Sequence, residues 1–199
     1  MKNKSLIITI IVFLLLGSCI PSLHPLYFEK DLITNENMVG TWNEDASLNT
    51  WVFYRNDNKK SYTLRFLEKE NNNVDDGTPG VLGIFEINLF KLGDESFLDF
   101  FPGENKIMEQ GINSLMEFHL LPVHTFAKIE ISNDTLLIYH FDVTRLEELL
   151  DEGKIRIRHE TRRNDLILTA KTEELQEFFI KYSKEKDVFV DPIVLTKNN

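Results

Sequence analysis

The sequence predicts a mainly β protein, an antiparallel up-and-down barrel with two C-terminal helices. Two observations carry this expectation. Short segments rich in Phe, Tyr, Trp, Ile and Leu follow one another from Val39 to residue 142, most of them bounded by Asn, Asp or Gly clusters. Two stretches with helical periodicity then appear late in the chain.

The candidate strands are VGTWNED, TWVFYRND, SYTLRFLEKE, VLGIFEINLFKLG, ESFLDFFP, LMEFHLL, HTFAKIEIS and TLLIYHFD. NDNKK, NNNVDDGTPG, LGDE and SND separate neighbours among them, and Asn, Asp and Gly favour the backbone conformations of tight turns. Asp75 and Asp76 in the longest of these turns fit no calcium-loop pattern and read as a solvated loop. DVTRLEELLDEG is the first predicted helix, with Thr144 and Glu147 matching a capping box and Leu146, Leu149 and Leu150 on one face. TEELQEFFIKYSKEK is the second, acidic at its start and basic at its end as the helix dipole favours. KIRIRHE and DLILTA between them predict two further strands, and DVFVDPIVLTKNN is open between a strand and a tail.

The N-terminus has a layout of its own. Lys2 and Lys4 precede an apolar run from Leu6 to Leu16, then Gly17, Ser18 and Cys19, the only cysteine among 199 residues. A basic start, a short apolar run and small residues form a secretory signal peptide, and the run is too short for a membrane-spanning helix of roughly 20 residues. Leu16-Gly17-Ser18-Cys19 resembles the lipobox of bacterial lipoproteins, which implies cleavage before Cys19 and acylation of its sulfur. The expected organisation is residues 1–18 as signal peptide, 19–30 as acylated cysteine and tether, and 31–199 as the barrel domain. Multiple acyl chains anchor a protein stably where one does not. The implied location is the bacterial envelope, at the periplasmic side of the outer membrane, since Ile20 follows the cysteine in place of the Asp of an inner-membrane retention signal.

Charge narrows the partners. Loss of residues 1–18 removes Lys2 and Lys4 and no acidic group, which leaves 20 basic against 32 acidic residues and a formal charge of −12. Such a chain repels phosphate backbones, so nucleic acid is excluded as an expected partner. With Cys19 acylated no thiol remains for a disulfide, and stability rests on packing.

Gly40-Thr41-Trp42 resembles the Gly-x-Trp that opens the first strand of lipocalins and the wider calycin group, where the Trp plugs one end of the barrel. The resemblance implies a late Arg stacked over that Trp, for which Arg156 and Arg158 are the candidates, and binding of an apolar small molecule inside the barrel. Trp51, Phe53, Tyr62, Phe66, Phe85 and Phe90 either line such a cavity or pack into one another.

Other chemistry finds no motif. His119 and His124 flank LLPV, with Glu117, Asp99 and His140 as nearby donor types, yet no zinc-ligand spacing joins them. Glu86 and Asp99 form a candidate carboxylate pair, although outward solubilising charges are the ordinary role of such strand residues. No catalytic residue, metal or cofactor is therefore predicted, and a metal-dependent hydrolase ranks behind two non-enzymatic readings. The first is a carrier or sensor of an apolar molecule. The second is an envelope assembly protein with a filled barrel, docking through an exposed FLDFFP patch from Phe97 to Pro102 or through the acidic helix face at Glu147, Glu148, Asp151 and Glu152.

Overall fold

The computed structural model describes residues 20–69, 81–102, 120–162, 165–184 and 188–198. The signal segment, Cys19, Asp75, Asp76, Glu117 and His119 lie outside them. Strands β1 (Gly40–Glu44), β2 (Thr50–Arg55), β3 (Ser61–Glu68), β4 (Val81–Leu92), β5 (Glu95–Phe101), β6 (Thr125–Ile131) and β7 (Thr135–His140) run as an antiparallel meander. Helix α1 (Val143–Asp151), the hairpin β8 (His159–Arg162) and β9 (Asp165–Leu168), and helix α2 (Thr172–Tyr182) follow. Strand β10 (Ile193–Lys197) then inserts between β1 and β7 and closes an eight-stranded barrel.

Closure differs from the sequence expectation in one respect. The eighth strand is the IVLTK stretch near the C-terminus, paired Leu195 to Leu136 on β7 and Thr196 to Asn43 on β1. LMEFHLL does not supply it: Leu120 and Leu121 are outside any strand, and the rest of that stretch lies outside the described residues. The helices accordingly precede the closing strand. In KIRIRHE only the end is extended, with β8 beginning at His159.

Alternation decides which side chains enter the barrel. Trp42, Trp51, Phe53, Tyr62, Leu64, Ile87, Leu89, Leu98, Phe100, Ala127, Ile129, Leu136, Ile138 and Leu195 form one continuous inner cluster with Met38. Most of these are wholly buried, and each large side chain contributes roughly 1.5–3 kcal/mol of burial free energy. Gly93 makes the β4–β5 turn with φ 64°, a conformation that a side chain disfavours.

A second apolar core lies outside the barrel. Phe90 and Leu92 on β4, Phe97 on β5 and Phe126 on β6 point outward and meet Phe141, Leu146, Leu149, Leu175, Phe178 and Phe179. The Phe179 ring stands edge-on to Phe126 at 5.7 Å and to Phe141 at 4.9 Å, the arrangement that aromatic quadrupoles favour. FLDFFP is apolar on both faces because its strand has a core on each side, so it is a buried wall and the exposed docking patch expected of it does not exist. Phe97, Leu98 and Asp99 are essentially inaccessible.

The α1 cap also differs from expectation. Asp142, two residues before the predicted cap Thr144, accepts a hydrogen bond from the Arg145 backbone N–H at 3.1 Å. The segment from Ile20 to Lys30, expected to serve as a tether, runs as a packed strap along the outer wall. Ser22 exchanges backbone hydrogen bonds with His124 at 2.8 and 2.9 Å, and Leu26 is fully buried. Helix α2 holds the strap through Thr172 Oγ1, which donates to Pro25 O at 2.8 Å, and Gln176 Nε2, which donates to Leu26 O at 3.0 Å.

Trp42 is the largest fully buried side chain of the inner core. Replacing it with Ala is expected to cost about 3–5 kcal/mol in chemical denaturation, and a loss below about 1 kcal/mol would show that the indole fills no essential volume.

Candidate functional site: the two ends of the barrel

The two ends of the barrel are built differently. At the end where β1 begins, the 3₁₀ turn Glu36–Met38 tucks Met38 into the interior, and Trp42 Nε1 donates to Met38 O at 2.9 Å. Tyr62 Oη ties the same turn down, accepting from the Asn35 N–H at 2.7 Å and donating to Asn35 O at 3.2 Å. A cation does lie over Trp42, and it is Lys197. Its Nζ stands 5.1 Å from the indole centroid and donates to Asn37 O at 2.7 Å.

Gly40 is required at this end for two reasons. Its φ is +129°, and a Cβ there would approach Lys197 Cε to 3.1 Å. Arg156 and Arg158 do not reach Trp42. They line a groove of about 700 Å³ bounded by Ile155, Phe178 and Tyr182 on the outside of the molecule, where Arg158 pairs with Glu174 through two 2.9 Å hydrogen bonds. The chain continues for a hairpin, a helix and a strand after them, so the last strand brings the cation to the plug.

At the opposite end the aromatic residues are looser. Trp51 is cross-strand partner of Trp42, but its indole N–H turns the other way, toward Glu44 Oε2 at 3.4 Å. Trp51 packs edge-on against Phe66 at 4.9 Å and Phe100 at 6.3 Å. Phe66 and Phe85 are only half-buried, and Phe85 leans across Gly83, where a Cβ would meet its ring at 2.9 Å. Of the six residues expected to line a cavity, Phe53 and Tyr62 sit deep in the barrel, and Trp51, Phe66 and Phe85 belong to this mouth. Phe90 faces outward into the helix-side core and lines no part of the interior. His140 is inward-facing near the mouth, and burial pushes its imidazole down to about 4.

A polar pair that the sequence left unassigned lies on the outer wall. His124 Nδ1 and Asp99 Oδ1 are 2.8 Å apart, with Asp99 wholly buried and the Phe101 ring stacked on the imidazole at 4.4 Å. Burial raises the Asp99 carboxyl above its ordinary value, while the hydrogen bond and charge of His124 and the Leu26 backbone amide oppose that rise. Glu86 lies on the same face one register step away, and burial and the Asp99 charge push the Tyr27 phenol upward. Ser22, whose backbone bridges to His124, has its hydroxyl engaged elsewhere, since Ser22 Oγ donates to His24 O at 2.8 Å. Among the described residues no group of three or more His, Cys, Asp or Glu converges on a point that could hold a metal ion.

No protein-family model, curated protein or solved structure matches the chain.

Two features of these sites escaped the sequence reading. Lys197 sits at an inward-facing position where alternation calls for an apolar residue, and Asp99 occupies an outward-facing one where solvent is the default. The second carried no signal of its own, since LMEFHLL stands between the two predicted strands that pair directly as β5 and β6.

The His140 shift has a definite sign. The unfolded imidazole takes up a proton near pH 6.5 and the folded one only near 4, so the unfolded state binds more protons between these values and stability falls as pH drops through that window. From pH 7 to pH 5 this group is expected to remove about 2 kcal/mol. A His140→Leu variant should lose that much less than the parent in urea titrations at the two pH values, and an equal loss in both would place the titration elsewhere.

Proposed function

We propose that the protein is a lipid-anchored bacterial lipoprotein of the periplasmic side of the outer membrane, non-enzymatic, whose lipocalin-like barrel binds an apolar small molecule at its open end. The observation that carries the reading is the asymmetry of the barrel: Met38, Trp42 and Lys197 cover one end, while at the other Phe66 and Phe85 stand half-buried beside the buried Trp51 and Phe100. A cation over a first-strand Trp, hydrogen-bonded to the preceding turn, supports the lipocalin likeness that Gly40 and Trp42 raise. The Leu-Gly-Ser-Cys19 sequence supports the anchor. An apolar ligand gains free energy by covering these rings, roughly 25 cal/mol per Å² removed from water, and asks no charged partner of them.

A second reading is an envelope assembly protein with a filled barrel. The tightly buried inner cluster that extends from Met38 to Phe100 favours it, because it leaves only the mouth for a ligand.

Native mass spectrometry of residues 20–199, purified from periplasm without detergent, separates the two. The first reading expects a reproducible extra mass that denaturation releases and that is identified as a lipid or other apolar molecule, diminished in a Trp51→Ala variant. A bare chain mass after incubation with a membrane lipid extract would leave the filled barrel and send the search to protein partners.

A further inference from the structure

We propose that the open end of the barrel is a membrane-seating surface, with Leu23, Leu48, Val81, Leu82, Leu120 and Leu121 entering the interfacial region of the bilayer that holds the lipid anchor. The proposal rests on the lipoprotein reading of Cys19 and adds which face of the domain meets the membrane.

Eight large apolar residues are exposed among the described ones, and these six gather at the mouth. Leu48 is in the β1–β2 turn, two residues before β2 begins at Thr50. Val81 and Leu82 are the first residues of β4, whose pairing with β3 extends past β5: that strand ends with Phe101 opposite Glu86, while Val81 still pairs with Glu68. Leu120 and Leu121 lead into β6, and Leu23 follows the residue bridged to His124 at the start of that strand. Val81 and Leu121 are 72% and 69% exposed, the two highest values among the exposed large apolar residues described. The other two exposed residues, Tyr54 on the outer face of β2 and Ile180 on α2, are isolated.

Chain length identifies the occupant. The strap is fixed to the domain from Ile20, which is 4% exposed, and Ser22 is locked between His124 and Leu168. Cys19 is three residues before Ser22, at most about 10 Å of extended chain. An acylated cysteine so close to the start of β6 has no slack to hold the domain away from the bilayer, and the barrel end nearest to it is the apolar one. Clustered apolar side chains on a soluble domain mark a contact surface, and here a lipid surface is already tethered beside them. Among the described residues the charged groups at this end, Glu44, Asp45, Glu68 and Lys69, sum to a net negative charge that gives no attraction to anionic head groups, so the seating is apolar and holds on zwitterionic lipid. A mouth pressed to the membrane takes its ligand from the bilayer without a passage through water.

The test uses the mature acylated chain in phosphatidylcholine vesicles, with Cys19 acylation read by intact mass. Nitroxide labels are placed through Val81→Cys, Leu121→Cys, and the controls Tyr54→Cys and Ile180→Cys. The proposal expects the two rim labels to be accessible to oxygen and shielded from a water-soluble nickel chelate, with both controls freely accessible to the chelate. Rim labels as open to the chelate as the controls, in an acylated and vesicle-bound chain, would overturn the proposal and leave the anchor intact. Rim labels shielded from both reagents would overturn it in favour of a protein cover such as a second copy. An unacylated Cys19 would sink the lipoprotein reading and the seating with it.

Discussion

The insertion of β10 between β1 and β7 is the contact on which the rest of the structure depends. Without it, both strands would present rows of unpaired N–H and C=O groups, the edge that small β domains must cover or close. With it, Leu195 is driven into the interior and Lys197 arrives over Trp42, so one short strand supplies both closure and the cover of the plug. The excursion between β7 and β10 is long enough to fold as a layer of its own, and the cost of closing such a loop grows only slowly with its length.

That layer explains the composition of the middle of the chain. Strands β4 and β5 form a wall with a core on each side, which is why FEINLF and FLDFF read as nearly continuous apolar runs where a one-sided strand alternates. Asp99 is the exception in the wall. The strap that brings Leu26 over it removes it from water, and His124 supplies the partner that a buried carboxyl requires. The strap thus connects three things: the outer wall, helix α2 and the segment that leads back to Cys19.

Much of the barrel was legible in the sequence because its signals are local. Aromatic and β-branched runs between Asn, Asp and Gly clusters located β1 to β5 and then β6 and β7, and 3.6-residue spacing located both helices. The parts that were not legible depend on what the chain meets after folding. IVLTK is five residues long and ends in a lysine that points inward, so its pattern carries no mark of a central barrel strand. LMEFHLL had the composition of a strand, yet Leu120 and Leu121 remain in irregular chain. Arg156 and Arg158 were plausible covers for Trp42 by their place after the first helix, but Glu174 on α2 claims Arg158. Exposure was the hardest property to read. FLDFFP has the composition of a surface patch and is buried, while the rim leucines belong to unremarkable turns.

The central claim is that the two ends of the barrel are unlike, one sealed and one open to apolar matter, and the paired tryptophans report on it from inside. Trp42 directs its indole toward Met38 and Trp51 toward Glu44, although the two are neighbours in register. The most direct measurement is fluorescence quenching by a brominated phospholipid in the Trp42→Phe and Trp51→Phe variants, each of which retains one indole. The account predicts strong quenching of Trp51 and little of Trp42. Equal quenching of both, or quenching of Trp42 alone, would contradict it.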